Sequence, residues 1–588
     1  MQRRGLAMGF EFRFGSLGSA HSPAVKTDEV FRLAVLGDFS ARANRGEIEV
    51  GAALAARKPL CLDVDDLDEV PRRLNVQLQL DIGGEEGMVE VDIHSMDHFH
   101  PDELYDNLEI FSDLAGLRQR LKNSSTFAKA AKEVQAWPGV GAPPKRRRKR
   151  RSRGSAVAAD CKLSDFAQLV ERDYVDRTET SIDRLVKHLV APYVVPAPDP
   201  RQETLVAAVD AAISDTMRRV LHHPDFQATE ALWRSLELLV RRLETGRNLQ
   251  IVLYDITAEE WAADLSSTES LEETGLYQLL VEQPSLDASQ GPLSAIVGNY
   301  QFEQTPPHAE LLGRFGKISA AAQAPFIASV GTACLEKQRN RDLHALVVES
   351  WSALKQLPEA QYLALTVPRF LLRMPYGKKT SPIDRFEFEE FTPQYGLSGM
   401  LWGNSAVLVG LLLGQTFSHQ GMKKMNILSS LTVDDMPFYF YTDADGDQVA
   451  LPSTERLIDV RTANEIAVTG FIPVLSIRGR PEVRLAGLGS IAAVPLAGPW
   501  PQPEGAKPPP PAPQVAEPAE EEADEMSSEE EEDLSSMLDE MDSSEESAEE
   551  GDDDMDALLA SFSDADDSSE DSSDDEMDPE LAALLADL

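Results

Sequence analysis

Alternate carboxylates can converge on one hard cation, and Asp443, Asp445 and Asp447 have that spacing. An EF-hand loop starting there would need Gly where Gln448 stands and a bidentate Glu where Thr454 stands. A hairpin turn between Phe438-Tyr-Phe-Tyr441 and Gln448-Val-Ala-Leu451 is the better reading. His222 and His223 are a second candidate ligand pair. Adjacent residues point different ways, and no third His or carboxylate lies at a helical offset on the same face, so packing at the start of a helix is favoured. Cys61, Cys161 and Cys334 are at least 100 residues apart, which excludes a CxxC-type zinc or redox site and a disulfide framework. No GxSxG, P-loop or dinucleotide fingerprint occurs, and Gly487-Leu-Gly-Ser490 lacks the following helix that phosphate binding requires. No enzyme, metal or cofactor is expected.

The charges that remain are arranged by segment. The chain has 588 residues and a formal net charge of −45, and 33 acidic residues with no Lys or Arg fall between Glu517 and Leu588. Such a polyanion disfavours nucleic acid as a partner. Eight of the nine residues from Lys145 to Arg153 are cationic. This run reads as a solvated linker, with an acidic-partner strip, a nuclear address and a nucleic-acid patch as the other readings, and it has no interleaved aromatic for base stacking. The acidic tail carries three apolar sets, each spaced i, i+3, i+4, i+7. The first is Leu534, Met537, Leu538 and Met541, the second is Met555, Leu558, Leu559 and Phe562, and the third is Leu581, Leu584, Leu585 and Leu588. Each would put four apolar residues on one helical face, too short to be stable unless a partner's groove supplies the packing, so the three are candidate docking motifs. The bland alternative is scattered leucine in a low-complexity tract.

The elements that must carry any site are legible as α/β. Phe31–Gly37, Pro59–Val64, Leu249–Tyr254, Ser294–Gly298, Pro325–Ala328 and Leu363–Val367 are apolar strand candidates separated by helical stretches. Leu74–Leu80 and Met88–Ile93 alternate apolar and polar residues, as a half-buried antiparallel pair does. From Pro101, Leu104, Leu108, Phe111, Leu114, Leu117 and Leu121 recur at threes and fours and predict one helical face. Leu232, Leu236, Leu239, Val240 and Leu243 predict another helix, with Pro224-Asp225 before it and Gly246 after it. The apolar run Ala406–Gly414 is about half of the ~20 residues a spanning helix needs, and Glu11 and Arg13 interrupt the leader-like start. A cytoplasmic location without membrane insertion is expected.

One segment then becomes specific. His222-His223-Pro224-Asp225-Phe226, continuing through Trp233 to Leu236, closely resembles the signature of the large sheath subunit of bacterial type VI secretion systems. Val297–Phe302, Ala320–Ala328, Leu365–Gly377 with Pro368, Arg369 and Phe370, Phe386–Glu390 with Leu401-Trp402-Gly403-Asn404, and Glu465–Pro473 agree in the same order. Leu36–Ser40, Leu62–Val70 and Ser95–Asp102 separately resemble the small subunit of that system.

The resemblance implies a fusion of two sheath-type α/β domains with mixed sheets and packed helices, and the Ser/Asp/Glu-rich composition of the acidic tail predicts that it is disordered. Its expected parts are an extension (1–27), a small-subunit-like domain (28–137), a Pro/Gly and basic linker (138–160), a large-subunit-like domain (161–497), a Pro-rich spacer (498–516) and the tail (517–588). It implies a protomer that polymerises, through sheet edges, around an inner tube and contracts to drive secretion. The implied partners are further copies, other sheath subunits, the tube protein, baseplate components and an AAA+ unfoldase. Family large subunits continue beyond Gly470-Phe-Ile-Pro473, whereas here Pro499 opens the spacer. That departure keeps a non-contractile capping or adaptor role as the alternative.

Overall fold

The computed structural model describes residues 13–15, 30–83, 87–137, 201–287, 290–335, 344–393, 395–425, 428–442 and 446–502. Cys161, the basic run and residues 443–445 lie outside the described residues. So do the candidate docking residues of the tail, Leu534, Met537 and Leu538 in the first motif, Leu558, Leu559 and Phe562 in the second, and Leu581, Leu584 and Leu585 in the third. The strands are β1 (Phe31–Gly37), β2 (Leu60–Leu62), β3 (Val76–Asp81), β4 (Met88–Ile93), β5 (Leu249–Asp255), β6 (Ala295–Phe302), β7 (Phe326–Val330) and β8 (Leu363–Val367). They continue with β9 (Phe370–Leu371), β10 (Trp402–Gly403), β11 (Thr432–Val433), β12 (Phe440–Thr442), β13 (Gln448–Ala450), β14 (Phe471–Ser476) and β15 (Val483–Leu485).

Nine strands form one sheet in the order β11-β15-β14-β8-β7-β6-β1-β5-β2. Its six central strands are parallel, and antiparallel strands close both edges. β1 pairs with β5 from Phe31↔Leu249 to Gly37↔Asp255, and with β6 from Leu33↔Ala295 to Leu36↔Gly298. All seven of its residues are buried, which is why its sequence is an apolar run rather than an alternation. Phe31, Leu33 and Val35 join the core on one face, while Ala34 and Leu36 join the core on the other. The first 100 residues therefore supply a central strand to a sheet whose other parallel strands all lie beyond residue 248.

Ten helices of seven or more residues are described: α1 (Pro101–Asn107), α2 (Glu109–Lys122), α3 (Phe127–Gln135), α4 (Gln202–Leu221), α5 (Pro224–Arg242), α6 (Ala258–Ser266), α7 (Pro306–Ala322), α8 (Ala345–Gln356), α9 (Ala406–Gln420) and α10 (Val460–Val468). α5 and α9 cover one face of the sheet and α6, α7, α8 and α10 the other, giving a mixed α/β architecture of three layers. The apolar run at 406–414 is the buried body of α9, packed against the sheet.

The single helix expected from residue 101 onward is two. Leu108 is extended (φ −88°, ψ 129°) and separates α1 from α2. Three successive steps of three residues, Leu108 to Leu117, drift an apolar stripe well off one face of a straight helix. The break lets Leu104, Leu108, Phe111, Leu117 and Leu121 all be buried. β3 and β4 form the expected antiparallel pair, and β12 pairs with β13 as the hairpin reading of the Asp443 region requires.

Candidate functional site

α5 begins at Pro224, well before its leucines, because His223 caps it: the His223 Nδ1 accepts the Asp225 N–H at 3.3 Å. Proline at the first helical position has no N–H to leave unsatisfied. The residues that follow face the first segment of the chain. Asn44 donates its Nδ2 to the Asp225 carboxylate at 2.8 Å. Phe226 meets Phe99 edge to face at 5.8 Å, and Trp233 meets Phe39 the same way at 5.4 Å while donating its Nε1 to the Phe39 carbonyl at 3.2 Å. Asp225, Phe226 and Trp233 are thus the seam between segments far apart in the chain.

At the end of β5 the seam is ionic. Arg57 donates both terminal nitrogens to Glu260, at 2.7 and 2.5 Å, and a third hydrogen bond to the Asp255 carbonyl at 2.8 Å. Arg42 reaches the same Glu260 carboxylate at 3.2 Å. Glu260 is fully buried at the third position of α6, where it also accepts the Thr257 N–H in a capping box. Burial alone would raise the Glu260 carboxyl, but the Arg57 hydrogen bonds, the Thr257 N–H and the two guanidinium charges leave it below its ordinary value. Asp264, one turn on and also buried, accepts the N–H groups of Gly51, Gly275 and Leu276 at 2.6, 3.1 and 2.8 Å. Across the seam, Ser40 donates its backbone N–H and hydroxyl to the Asp255 carboxylate.

A second buried network is anchored on α5 by Glu230. Arg373 is held between Glu230, at 2.7 Å, and Glu390, at 2.7 Å, with its guanidinium 4.2 Å from the Tyr376 ring centre. Desolvation opposes both charges. Arg373 beside Glu390 nevertheless holds that carboxyl down at about 2, aided by His222 and the Tyr376 N–H. Burial pushes the Tyr376 hydroxyl up to about 12. His222 itself lies 3.7 Å from Glu390 and packs on Tyr395.

The other family-motif residues gather nearby. Pro368 follows a cis peptide, Arg369 is bidentate to Glu455 at 2.9 and 2.8 Å, and Phe370 pairs with Gly403 where β9 meets β10 antiparallel. Asn404, just before α9, accepts the Ala406 N–H at 2.9 Å and donates to the Tyr300 carbonyl at 3.0 Å. Pro224, Ala228, Ala231, Arg369, Trp402 and Glu455 line one cavity of about 570 Å³. The structure therefore brings Pro224, Arg369 and Trp402 to one cavity, and sends Asp225, Phe226 and Trp233 to the seam.

Sequence reasoning missed Arg42, Arg57, Glu260, Arg373, Glu230 and Glu390. The Thr257-x-x-Glu260 box was readable as a helix start. Glu230 also carried a signal, since it shares the helical face of Phe226 and Trp233, where a charge needs a buried partner. The acids and bases of both networks neutralise one another, leaving no nucleophile beside a base. Among the described residues no group of three or more His, Cys, Asp or Glu is placed to hold a metal ion. Among them, too, no helix is long and apolar enough to cross a membrane.

Comparison with known proteins divides the chain between two families. Residues 21–136 match the family described as "Type VI secretion system, VipA, VC_A0107 or Hcp2", and residues 203–492 the family "EvpB/VC_A0108, tail sheath N-terminal domain" (VipB). The type VI secretion system sheath protein TssC1 of Pseudomonas aeruginosa is 32% identical over 336 residues, which cover 53% of this chain and 67% of that protein. The two matched regions meet along the seam of Asp225, Phe226, Trp233 and Glu260. The chain belongs to the type VI secretion system sheath protein family, as a structural member that carries a VipA-like and a VipB/TssC-like region on one polypeptide.

Proposed function

We propose that this chain is the protomer of a contractile sheath, which polymerises helically around an inner tube and drives it outward by contraction. The observation that supports this most is β1, a strand of the VipA-like region hydrogen-bonded on both sides by strands of the VipB-like region. Two regions joined in this way act as one rigid building block of fixed 1:1 composition, and the segment 138–160 serves as the covalent link that keeps them together. Contraction energy would then reside in two alternative packings of such blocks, a bistable assembly that needs no nucleotide chemistry in this chain. Further copies, other sheath subunits, the tube protein, baseplate components and an AAA+ unfoldase are the partners this role calls for.

Negative-stain electron microscopy of the full chain, alone and with the system's tube protein at low and moderate salt, tests the reading. Hollow, regularly striated tubes are expected. Discrete small particles in every condition would overturn it in favour of a capping or adaptor role. The three apolar repeats of the acidic tail favour that second reading, as multivalent docking motifs in which Met537 and Leu538, Leu558, Leu559 and Phe562, and Leu584 and Leu585 would fill a partner's groove. In that case Leu538→Asp, Leu559→Asp and Leu585→Asp together abolish partner capture, whereas a sheath protomer with the same changes still forms tubes.

A further inference from the structure

Residues 13–15 lie against α7. The Phe14 ring occupies the space where a side chain on Gly313 would stand, so any larger residue at 313 overlaps the ring, and Leu357 closes the same socket. One turn along α7, Lys317 donates its Nζ to the Gly15 carbonyl at 2.5 Å. On the other side Arg13 pairs with Glu269 at 3.2 Å. Gly15 has φ +69°, and a side chain there would meet the Glu269 carbonyl and Leu271 at 3.2 Å. Three consecutive residues are therefore each read by a different feature: a carboxylate for the base, a glycine-floored socket for the ring, and a close backbone approach that admits only glycine.

We propose that this face of α7 is a peptide-recognition site for an Arg-Phe-Gly segment whose glycine takes a positive φ, and that the chain's own Arg13–Gly15 occupies it reversibly. The contacts seen among the described residues include a half-buried ring, an exposed ion pair and a hydrogen bond, and water competes for the two polar ones. Release is thus a local opening that leaves both cores intact. Lys317 is suited to the site because burial lowers its pKa, so a carbonyl partner recovers part of the hydration it gives up.

The test uses the full chain and a fluorescein-labelled peptide of residues 11–17 as probe, read by anisotropy. Phe14→Ala protein, whose socket is vacated, should bind the peptide about tenfold more tightly than wild type, whose own segment competes. Protein carrying both Phe14→Ala and Gly313→Leu should not bind it, nor should Phe14→Ala protein bind a peptide lacking the ring. Equal binding by wild type and Phe14→Ala protein overturns the proposal. Because Gly313→Leu risks misfolding, an exposed charge swap provides a second arm. Protein carrying both Phe14→Ala and Glu269→Lys should prefer the peptide with Arg13→Glu over the native peptide, and indifference to the swap also overturns the site.

Discussion

Glu260 has no contact with water, and its charge is tolerated because Arg57 and Arg42 supply three charge-assisted hydrogen bonds from the other side of the seam. Removing one partner of such a group leaves the others buried and uncompensated, at about 3–5 kcal/mol. Glu260→Leu should therefore lower the free energy of urea unfolding by roughly 3 kcal/mol, the low end of that range, since Arg57 keeps Glu49 and Arg42 keeps Asp255. Glu465→Ala, which breaks an exposed pair with Arg461 one helical turn away, should change it by less than about 0.5 kcal/mol. Equal effects of the two would refute a special role for the buried lock. Glu390 makes a pH prediction. Its folded-state carboxyl sits at about 2, below the ordinary 4.5, so its contribution is full above about pH 4.5 and is lost as pH falls through 2. At about 1.4 kcal/mol per pH unit the loss is on the order of 3 kcal/mol. Asp38 acts in the opposite direction: burial raises it to about 6, so it favours the fold below about pH 3.8 and that contribution disappears as pH rises through 6. Stability measured from pH 7 to 2 should fall steeply only below about 4.5, and Glu390→Gln should flatten that fall. The Arg57–Glu260 partnership was not legible, because the two residues are separated by 203 positions and only the fold brings them together.

At the scale of elements, strands and helices with strong patterns were readable and their partners were not. β8 matches its apolar run residue for residue, and β1 likewise. Periodicity marked the leucines of α5 and Pro224-Asp225 marked its start to within two residues, although the capping atom is a histidine nitrogen rather than the usual hydroxyl or carboxylate. The stripe from Leu104 to Leu121 misled: spacing in threes looks helical locally and drifts off the face over three turns. α9 shows what composition alone leaves undecided. Its apolar run is too short to span a membrane, but only the structure shows that it packs against the sheet. Gly410 brings that helix so close to the sheet that an added side chain would meet Val297 at 2.7 Å and Leu33 at 3.4 Å. Gly410→Leu should consequently destabilise the protein by about 3 kcal/mol or more, and Gly410→Ala by less. Thermal unfolding of the two variants checks the order, and a harmless leucine would show that α9 stands off from the sheet.

For the whole molecule, the decisive feature is that sequence order and spatial order disagree at β1. A chain read from left to right presents two α/β regions with a charged stretch between them. The structure places the first region's principal strand between β5 and β6, with β2 completing the edge beyond β5. That edge strand has three residues and the opposite one, β11, has two, so the sheet offers short templates for pairing between copies. In the proposed polymer, contacts between copies are better sought on the helical layers and in the cavity beside α5. The interleaving also predicts how the chain responds to being cut. Cleavage at a protease site placed between residues 145 and 153 severs the covalent link but leaves β1 paired on both sides and the Arg57–Glu260 lock closed. The fragments should co-elute in size-exclusion chromatography at dilutions where a flexibly tethered pair would part, and at high salt, because the seam is mostly apolar and its ions are shielded from solvent. They should separate only in denaturant, at a midpoint close to that of the uncut chain at high protein concentration. Fragments that drift apart in native buffer would mean that the linker, not the shared sheet, holds the two regions together.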